Sequence, residues 1–187
     1  MKKAVFLVGV PGTGKTTTTV TLMSALPEYT SSVSGIKMIP WVELNRRDGQ
    51  SWRFLGVFGG RGYAQGTDRM SMGVQPHFVE FARTNDTNLF IEGDRLCNAG
   101  SIEACLAYRY SVHVVELTAD AGVRQQRYQL RGSAQSETFI KGRVTKLFNL
   151  RLHMAGDHPH MSWKRFKHEV PRDSALVHHH LLGLIRD

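Results

Sequence analysis

The chain is poor in the features that define several protein classes. Its 187 residues include only two cysteines, Cys97 and Cys105, and neither has a histidine or cysteine partner at metal-site spacing, which argues against a disulfide scaffold and predicts reduced core thiols. No apolar run approaches the roughly 20 residues of a membrane span. Lys2-Lys3 leads directly into a predicted strand, so we expect no signal peptide. With 41% hydrophobic residues and no low-complexity tract, the sequence predicts one folded domain in the cytoplasm.

Acidic residues are scarce in the last third of the chain. Residues 1–120 carry 12 Lys and Arg against 11 Asp and Glu, whereas residues 121–187 carry 12 against 5. Nearly all of the formal net charge of +8 therefore lies after residue 120. Because the phosphates of a single nucleotide need only a few cations, this surplus favours a polyanionic partner such as nucleic acid. A solvated basic face is the alternative.

A phosphate-binding motif follows the first predicted strand, residues 4–8. Residues 9–16 read GVPGTGKT and fit G-x-x-x-x-G-K-[ST] at every fixed position. Glycines in this motif turn backbone N–H groups towards an anion, and the next helix points its positive end at the same place. The lysine reaches the β- and γ-phosphates and the threonine hydroxyl can ligate Mg²⁺. The residues expected to hold the nucleotide are Gly12, Thr13, Gly14, Lys15, Thr16 and Thr17.

The rest of the chain alternates predicted strands and helices. We predict strands over 33–44, 51–58, 88–94 and 112–117, and helices over 15–26 (stopping at Pro27), from residue 71 or 72 to 83, 119–131 and 136–152. Asp48-Gly49 is a strong turn signal, so 33–58 is expected to be an inserted hairpin, followed by a Gly-rich loop at 59–66. The alternation predicts an α/β fold with a mostly parallel sheet covered on both faces. We expect a kinase-like domain over 1–150, with a basic extension over 151–187 packed on it.

Three acids are candidates for the chemistry of phosphoryl transfer. Glu92 and Asp94 lie at the end of a buried strand, at the sheet edge that faces ligands in parallel sheets. Asp94 is the preferred Mg²⁺ residue, directly or through water, and Glu92 could instead be a neutralised structural acid. Asp68 follows the Gly-rich loop, where kinases that act on hydroxyl groups place a carboxylate base. Its alternative role is to cap the next helix.

An arginine row suggests a lid. Arg124, Arg127 and Arg131 share one face of the predicted helix 119–131, and Gly132-Ser133 ends that helix. Small P-loop kinases use such an arrangement to bring guanidinium groups over the transferring phosphate, and we expect a lid at about 119–143. The alternative is an exposed salt-bridged face, for which Glu137 is the one acid nearby.

Three blocks of sequence resemble a known family. They are GTDRMSMGVQP at 66–76, EGDRL at 92–96 and RGSAQSETFIKGRVTK at 131–146. Together with the phosphate loop they look like signature blocks of phage-encoded P-loop kinases that phosphorylate 5-hydroxymethyluracil already incorporated in DNA, a step in thymine hypermodification. The resemblance covers roughly residues 4–150. Met70 stands where the family pattern has leucine, and the tail from Arg151 onward matches nothing in it.

The resemblance implies a nucleoside monophosphate kinase-like fold and a concrete reaction. The γ-phosphate of ATP, or of another triphosphate, would move with Mg²⁺ to the 5-hydroxymethyl oxygen and give 5-phosphomethyl-deoxyuridine in DNA. Lys15 and Thr16 would hold the triphosphate and metal, and Asp94 or Asp68 would deprotonate the hydroxyl. The residues expected to stabilise charge on the transferred group are Arg127, Arg131 and Arg143. Those expected to contact the acceptor are Tyr63, Arg69, Gln75, Arg95, Lys141 and Lys146.

A base inside a duplex cannot reach such a pocket, so the target must be flipped out or single-stranded. Aromatic side chains that could stack on it lie around the predicted hairpin and Gly-rich loop. Of these, Trp41, Trp52 and Phe54 are each better explained as core residues, whereas Tyr63 lies between glycines and is the better stacking candidate.

The C-terminal segment gives a weaker indication of a DNA partner. Residues 160–168 interleave aromatic and cationic side chains, which suits contact with a DNA backbone, although an amphipathic docking helix fits equally well. The histidine triplet at 178–180 lacks a carboxylate or cysteine at ligand spacing, so we predict no zinc site.

Two other functions remain open. A kinase of a free nucleoside, nucleotide or other small molecule would share the loop, the acids and the lid, and only the basic surplus argues against it. A nucleic-acid-binding P-loop ATPase is the second alternative. A lid that excludes water fits transfer to an organic acceptor better than hydrolysis.

Overall fold

The computed structural model describes residues 1–26, 29–36, 38–59, 65–156 and 158–187, with the backbone alone at Tyr29. Seven strands of these ranges form one sheet: β1 (Lys2–Val8), β2 (Tyr29–Ile36), β3 (Ile39–Arg46), β4 (Ser51–Leu55), β5 (Asn88–Glu92), β6 (Tyr110–Thr118) and β7 (Met161–Lys167). Their spatial order is β2-β3-β4-β5-β1-β6-β7. The strands from β4 to β7 in this order are parallel, and β2 and β3 are added in antiparallel pairing.

Helices cover both faces of the sheet. They are α1 (Lys15–Ser24), α2 (Val74–Thr84), α3 (Ala99–Ala107), α4 (Ala121–Leu130), α5 (Glu137–His153) and α6 (Pro171–Arg186). Apolar residues of α2, α3 and α5 pack on one face, and those of α1 and α6 pack on the other. This architecture confirms the predicted α/β class with a mostly parallel sheet.

The central strand β1 explains why the phosphate loop is held rigidly. Its residues Ala4 to Val8 are fully buried, with alternate side chains entering the two cores on opposite faces of the sheet. A strand buried on both faces needs a continuous apolar run, which is what the sequence supplies. The loops that follow β1, β4, β5, β6 and β7 all leave from the same edge of the sheet, because those strands are parallel.

The predicted hairpin is more complex than expected. The single strand predicted over 33–44 is two strands, β2 and β3, separated by a tight turn in which Met38 has φ +76°. The turn at Asp48-Gly49 is present, with Gly49 at φ +90°, but the strand after it, β4, pairs in parallel with β5. The inserted hairpin is therefore β2–β3. Pro27 and most of the Gly-rich loop lie outside the described residues.

The helix boundaries differ slightly from those predicted. Helix α1 ends at Ser24, two residues before the predicted end. Helix α2 begins at Val74 rather than at residue 71 or 72, since residues 67–69 form a separate 3₁₀ turn. Three aromatic side chains considered for base stacking are buried in the core and are structural: Trp41, Trp52 and Phe54.

Three elements were missed in the sequence. Apolar residues are not confined to one face of α3, so its sequence shows only a weak helical pattern. Strand β7 and helix α6 complete the sheet and its second face, so the segment after residue 150 is an integral part of the same domain. Helix α6 does carry a signal: Pro171 starts it, and Val177, Leu181 and Ile185 recur every four residues and are fully buried.

The interleaved pattern at 160–168 is explained by a two-sided strand, so the docking-helix interpretation is wrong. On one face of β7, Trp163 Nε1 donates to the buried Glu116 carboxylate at 2.9 Å, and Arg165 Nε forms an ion pair with the same carboxylate at 3.3 Å. On the other face, Phe166 packs against the second core. Each face of the strand therefore carries both kinds of side chain, and the two faces contact different parts of the fold.

None of the helices in the described residues is both long enough and apolar enough to cross a membrane. Within the same ranges, no group of three or more histidine, cysteine or acidic side chains is placed to hold a metal ion.

Candidate active site

The loop between β1 and α1 has the backbone that a phosphate cradle requires. Gly12 and Gly14 adopt φ values of +82° and +93°, in the left-handed region that other residues disfavour. A Cβ at Gly12 would lie 2.8 Å from the Tyr128 ring, and one at Gly14 would lie 2.5 Å from the His168 ring. Glycine is thus required at both positions by conformation and by close packing.

Three side chains, two from α4 and one from the segment after β7, form hydrogen bonds to backbone carbonyls of the phosphate loop. The Tyr128 hydroxyl donates to Pro11 O at 2.6 Å. Arg127 donates to Gly12 O and, through its other terminal nitrogen, to the backbone carbonyl of His168, both at 2.9 Å. Arg127 was predicted to reach the transferring phosphate, and in the structure its guanidinium group is engaged by these carbonyls.

The His168 imidazole is the third support. Its Nδ1 donates to Thr13 O at 2.7 Å, which leaves Nε2 to accept a hydrogen bond from the Ser174 hydroxyl at 2.9 Å. Burial lowers the pKa of His168, so the neutral ring required by this pattern is favoured. The C-terminal segment therefore fixes the shape of the N-terminal phosphate loop.

Lys15 and Thr16 lie at the start of α1, as the motif predicts. Lys15 is 9% exposed, and its Nζ donates to Gly9 O at 2.8 Å, across the mouth of the loop. The Thr16 hydroxyl donates to Glu92 Oε1 at 3.2 Å. Thr13 bonds within the loop, to Val10 O at 2.9 Å, and Thr17 is exposed on the outer side of the helix.

Glu92 is the acid that lies beside Thr16. It ends β5, it is 1% exposed, and its Oε2 has no hydrogen-bond partner among the described residues. Burial raises the pKa of Glu92 to about 7, although the nearby Lys15 ammonium opposes this shift. An unpartnered buried carboxylate oxygen next to a threonine hydroxyl is a suitable pair of ligands for Mg²⁺. Asp94, the residue preferred from the sequence as the Mg²⁺ ligand, lies two residues after Glu92, in the loop that follows β5.

Asp94 is held by two cations from α5. Arg143 forms an ion pair with its Oδ2, and Lys146 Nζ lies 3.0 Å from Oδ1 and donates to the Asp94 carbonyl at 2.9 Å. Its charge is compensated by these two groups. Asp94 therefore joins the loop after β5 to helix α5, on which Arg143 and Lys146 were predicted to bind nucleotide and acceptor respectively.

Asp68 is oriented by backbone amides. Its Oδ1 accepts hydrogen bonds from the amides of Asp94 at 2.7 Å and Arg95 at 3.1 Å. Helix α2 is instead capped at Gly73, without a side-chain cap, so the helix-cap interpretation of Asp68 is wrong. No cation forms an ion pair with Asp68 among the residues described, and its second oxygen, Oδ2, is not engaged by these two amides.

Two pockets adjoin at the phosphate loop. A smaller one of about 100 Å³ lies over the loop and α1, and it is lined by Gly12, Gly14, Lys15, Thr16, Gln65, Asp68, Glu92, Tyr128, Arg131 and Gln135 among others. A larger one of about 580 Å³ lies beside it, and its lining includes Lys15, Asp68, Met72, Asp94, Arg95, Gln135, Phe139, Arg143 and Lys146. Lys15, Asp68 and Gln135 line both. The smaller pocket has the composition of a phosphate site, and we call the larger one the acceptor pocket.

The remaining predicted residues divide between the pockets and the structure around them. Arg131 lines the phosphate pocket, and Arg95 lines the acceptor pocket. Arg69 donates to Gly59 O at 3.1 Å, and Gln75 donates to Asn98, the N-cap residue of α3, at 2.9 Å. Lys141 lies on the exposed side of α5, 3.5 Å from Glu137. Tyr63 lies outside the described residues.

Sequence reasoning did not find several residues of the site. Tyr128 and His168 support the loop, and Gln135 and Phe139 line the pockets. Tyr128 adjoins the arginine row and could have been noticed as its buried neighbour. No local signal points to His168, because its position depends on β7 lying next to β6.

The comparison with known families agrees with this geometry. The chain matches the family P-loop Nucleotide Kinase3 over residues 1–161, and it belongs to that family. The match includes the phosphate loop and both pockets, and it ends at the first residue of β7. No curated protein matches the chain. The protein is therefore a P-loop kinase whose family membership implies ATP binding and nucleotide-kinase-like phosphoryl transfer.

Proposed function

We propose that this kinase transfers the γ-phosphoryl group of ATP to the hydroxymethyl oxygen of 5-hydroxymethyluracil in DNA. The observation that carries the proposal is the position of Asp68, whose side chain lines both the phosphate pocket and the acceptor pocket. A hydroxyl bound in the larger pocket would meet the terminal phosphate at this residue. Lys15, which also lines both pockets, supplies positive charge at the same place.

Asp68 is the better general base of the two aspartates. Two amides fix its orientation, whereas Asp94 is neutralised by Arg143 and Lys146. In the proposed step the acceptor oxygen attacks the γ-phosphorus, the bond from that phosphorus to the β–γ bridging oxygen breaks, and ADP leaves. The hydroxyl proton passes to Asp68. Lys15 and Arg131 stabilise the charge that develops on the transferred group.

Thr16 and Glu92 are the residues that would hold Mg²⁺. Their side chains are 3.2 Å apart and Glu92 keeps one carboxylate oxygen unpartnered among the described groups, so the donor set fits a hard cation. When bound, the ion would neutralise charge on the β- and γ-phosphates.

The DNA acceptor rests on the three sequence blocks that resemble hydroxymethyluracil DNA kinases, on the basic last third, and on the size of the acceptor pocket. A volume of about 580 Å³ accommodates a pyrimidine nucleotide that has been flipped out of the helix. Blocks 66–76, 92–96 and 131–146 supply the acceptor-pocket residues Asp68, Met72, Asp94, Arg95, Gln135, Phe139, Arg143 and Lys146, so the resemblance is concentrated at the acceptor pocket.

A second candidate is a kinase of a free nucleoside or nucleotide. The observation that favours it is that at least six of the 12 cations after residue 120 form ion pairs within the described part of the chain. These are Lys141, Arg143, Lys146, Arg151, Arg165 and Lys167. Paired cations contribute less to the field that attracts a polyanion.

The test uses γ-labelled ATP and Mg²⁺ with two acceptors in parallel, an oligodeoxynucleotide that contains 5-hydroxymethyluracil and the free deoxynucleoside. We expect label in the oligonucleotide, none in a matched thymine oligonucleotide, and none with Lys15→Ala. Label in the free nucleoside alone would contradict the proposal of a DNA acceptor and support the second candidate, a kinase of a free nucleoside or nucleotide. Label in neither acceptor would reject both.

A further inference from the structure

Two large apolar side chains lie exposed at the wall of a pocket whose lining includes six charged residues. Phe139, on the first turn of α5, is 39% exposed, and Met72, which precedes α2, is 81% exposed. Both line the acceptor pocket together with Asp68. Exposing such groups in water is unfavourable, so their position next to the proposed base needs an explanation.

An arginine accompanies each of these side chains. The Arg143 guanidinium lies 4.7 Å from the centre of the Phe139 ring, and the Arg95 guanidinium contacts the Met72 sulfur. Arg143 is itself paired with Asp94, and Arg95 donates to Asp68 O at 3.5 Å. Each apolar side chain thus contacts an arginine of the pocket wall, one on α5 and the other in the loop after β5.

We propose that Phe139 and Met72 are the clamp that receives the acceptor base, with the ring and the thioether as its two apolar surfaces. This inference rests on the proposed function and names the residues that select a flat aromatic acceptor. Base–aromatic stacking is a large and sequence-tolerant source of affinity, and a methionine sulfur packs favourably against a π system. A base held by this clamp places its substituent close to Asp68.

Gln135 is positioned to contact the edge of that base. It belongs to the loop between α4 and α5 and lines both pockets. Its side-chain amide offers one acceptor and two donors, which match the N3–H and O4 groups of a uracil ring. Because Gln135 also borders the phosphate pocket, its contact would align the base with the donor.

The structure excludes the other aromatic candidates among its described residues. Trp41, Trp52 and Phe54 belong to the buried cores. Phe148 is also exposed, at 50%, and lies on the same helix as Phe139, but it borders a different cavity near Glu116. It is therefore a matched control, because Phe148→Ala removes another exposed ring of α5 that does not line the acceptor pocket.

The test compares Phe139→Ala, Phe139→Tyr, Met72→Ala and Phe148→Ala in the full chain. For the hydroxymethyluracil oligonucleotide we expect Phe139→Ala to lower kcat/KM by roughly ten- to a hundredfold, as the loss of one stacked base predicts. Phe139→Tyr should restore most of it, Met72→Ala should show a smaller loss, and Phe148→Ala should resemble the wild type. The affinity for ATP should be unchanged in all four.

Failure of the clamp can be separated from failure of the proposed function. If the wild type labels DNA or the free nucleoside and Phe139→Ala behaves like Phe148→Ala, the clamp is wrong and the kinase assignment stands. If the wild type labels neither, the proposed function fails. The clamp is then judged by binding of the oligonucleotide with a non-hydrolysable ATP analogue. Loss with Phe139→Ala alone supports it, and equal binding by both variants overturns it.

Discussion

The Asp68 carboxylate accepts a hydrogen bond from the backbone amide of Asp94 at 2.7 Å. The two acids that compete for the role of base in the sequence are thus parts of one arrangement. The loop after β5 presents its amides to Asp68, while the side chain of Asp94 secures that loop to α5 through Arg143 and Lys146. In the proposed reaction Asp94 is a positioning residue, and Asp68 acts on the acceptor.

The first prediction separates these roles. Asp68→Asn keeps an oxygen for the two amides but removes the base, so kcat should fall by roughly 10²- to 10⁴-fold with little change in the KM for ATP. Asp94→Asn releases Arg143 and Lys146 and should mainly raise the KM for the acceptor. Steady-state kinetics on both variants check this. A larger loss of kcat in Asp94→Asn than in Asp68→Asn would reverse the assignment.

The second prediction uses the raised pKa of Glu92. The usual pKa of 4.5 applies to the unfolded chain, and burial raises it to about 7 in the folded protein. Between these values the unfolded chain loses a proton that the folded protein keeps, so stability falls as pH rises through this window. The wild type should lose about 3 kcal/mol relative to Glu92→Gln between pH 4 and pH 8.

Denaturant unfolding of both proteins in EDTA, at a series of pH values, measures this difference. EDTA removes divalent cations that would bind ionised Glu92 and shift its pKa. Glutamine has nearly the same shape and can still accept from Thr16, so it serves as the non-ionising reference. Stability curves that stay parallel across this pH range would show that Glu92 does not titrate there.

The third prediction concerns two arginines of the predicted lid, Arg127 and Arg131. Arg127→Ala removes charged hydrogen bonds to the Gly12 and His168 carbonyls, so it should lower stability by about 2 kcal/mol and raise the KM for ATP. Arg131 is exposed and lines the phosphate pocket. Arg131→Ala should leave the melting temperature unchanged and lower kcat by roughly 10²-fold or more. Equal effects of the two variants on melting would contradict the distinction.

The fourth prediction tests the glycine requirement of the loop. Gly14→Ala introduces a Cβ at 2.5 Å from the His168 ring at a residue with φ +93°, so it should destabilise the protein and abolish the thermal shift caused by ATP and Mg²⁺. The control is Gly122→Ala in α4, where a Cβ meets nothing within 4 Å. That change should stabilise the protein by roughly 0.5–1 kcal/mol. ATP-dependent stabilisation that survives in Gly14→Ala would show that the loop tolerates a side chain.

The sequence predicts the parts of the site that depend on local pattern. The phosphate motif specifies its own loop, and the buried runs that become β1 and β5 place Lys15 and Glu92 at one edge of the sheet, because both strands are parallel and central. The same logic located Asp68 at that edge. These predictions need only the pattern of apolar residues along the chain and the direction of its strands.

The remainder depends on contacts between distant segments. The role of His168 requires β7 to lie beside β6, which no local pattern shows. The sequence of β7 suggested a contact with nucleic acid because aromatic and cationic side chains are interleaved along it. Arg127 has the spacing of a lid residue, yet carbonyl groups of two separate loops engage it. The stacking prediction at Tyr63 lies outside the described residues, and no local pattern shows that Phe139 lines the acceptor pocket, because that position depends on α5 packing against the sheet.

The central claim is that Asp68 directs the γ-phosphoryl group to an acceptor hydroxyl rather than to water. A single-turnover reaction with γ-labelled ATP and the hydroxymethyluracil oligonucleotide tests it by comparing label in DNA with label in inorganic phosphate. With the wild type, nearly all label should enter DNA, and Asp68→Asn should transfer almost none while still binding ATP. Release of inorganic phosphate at the same rate with and without the oligonucleotide, and no label in DNA, would contradict it and identify an ATPase.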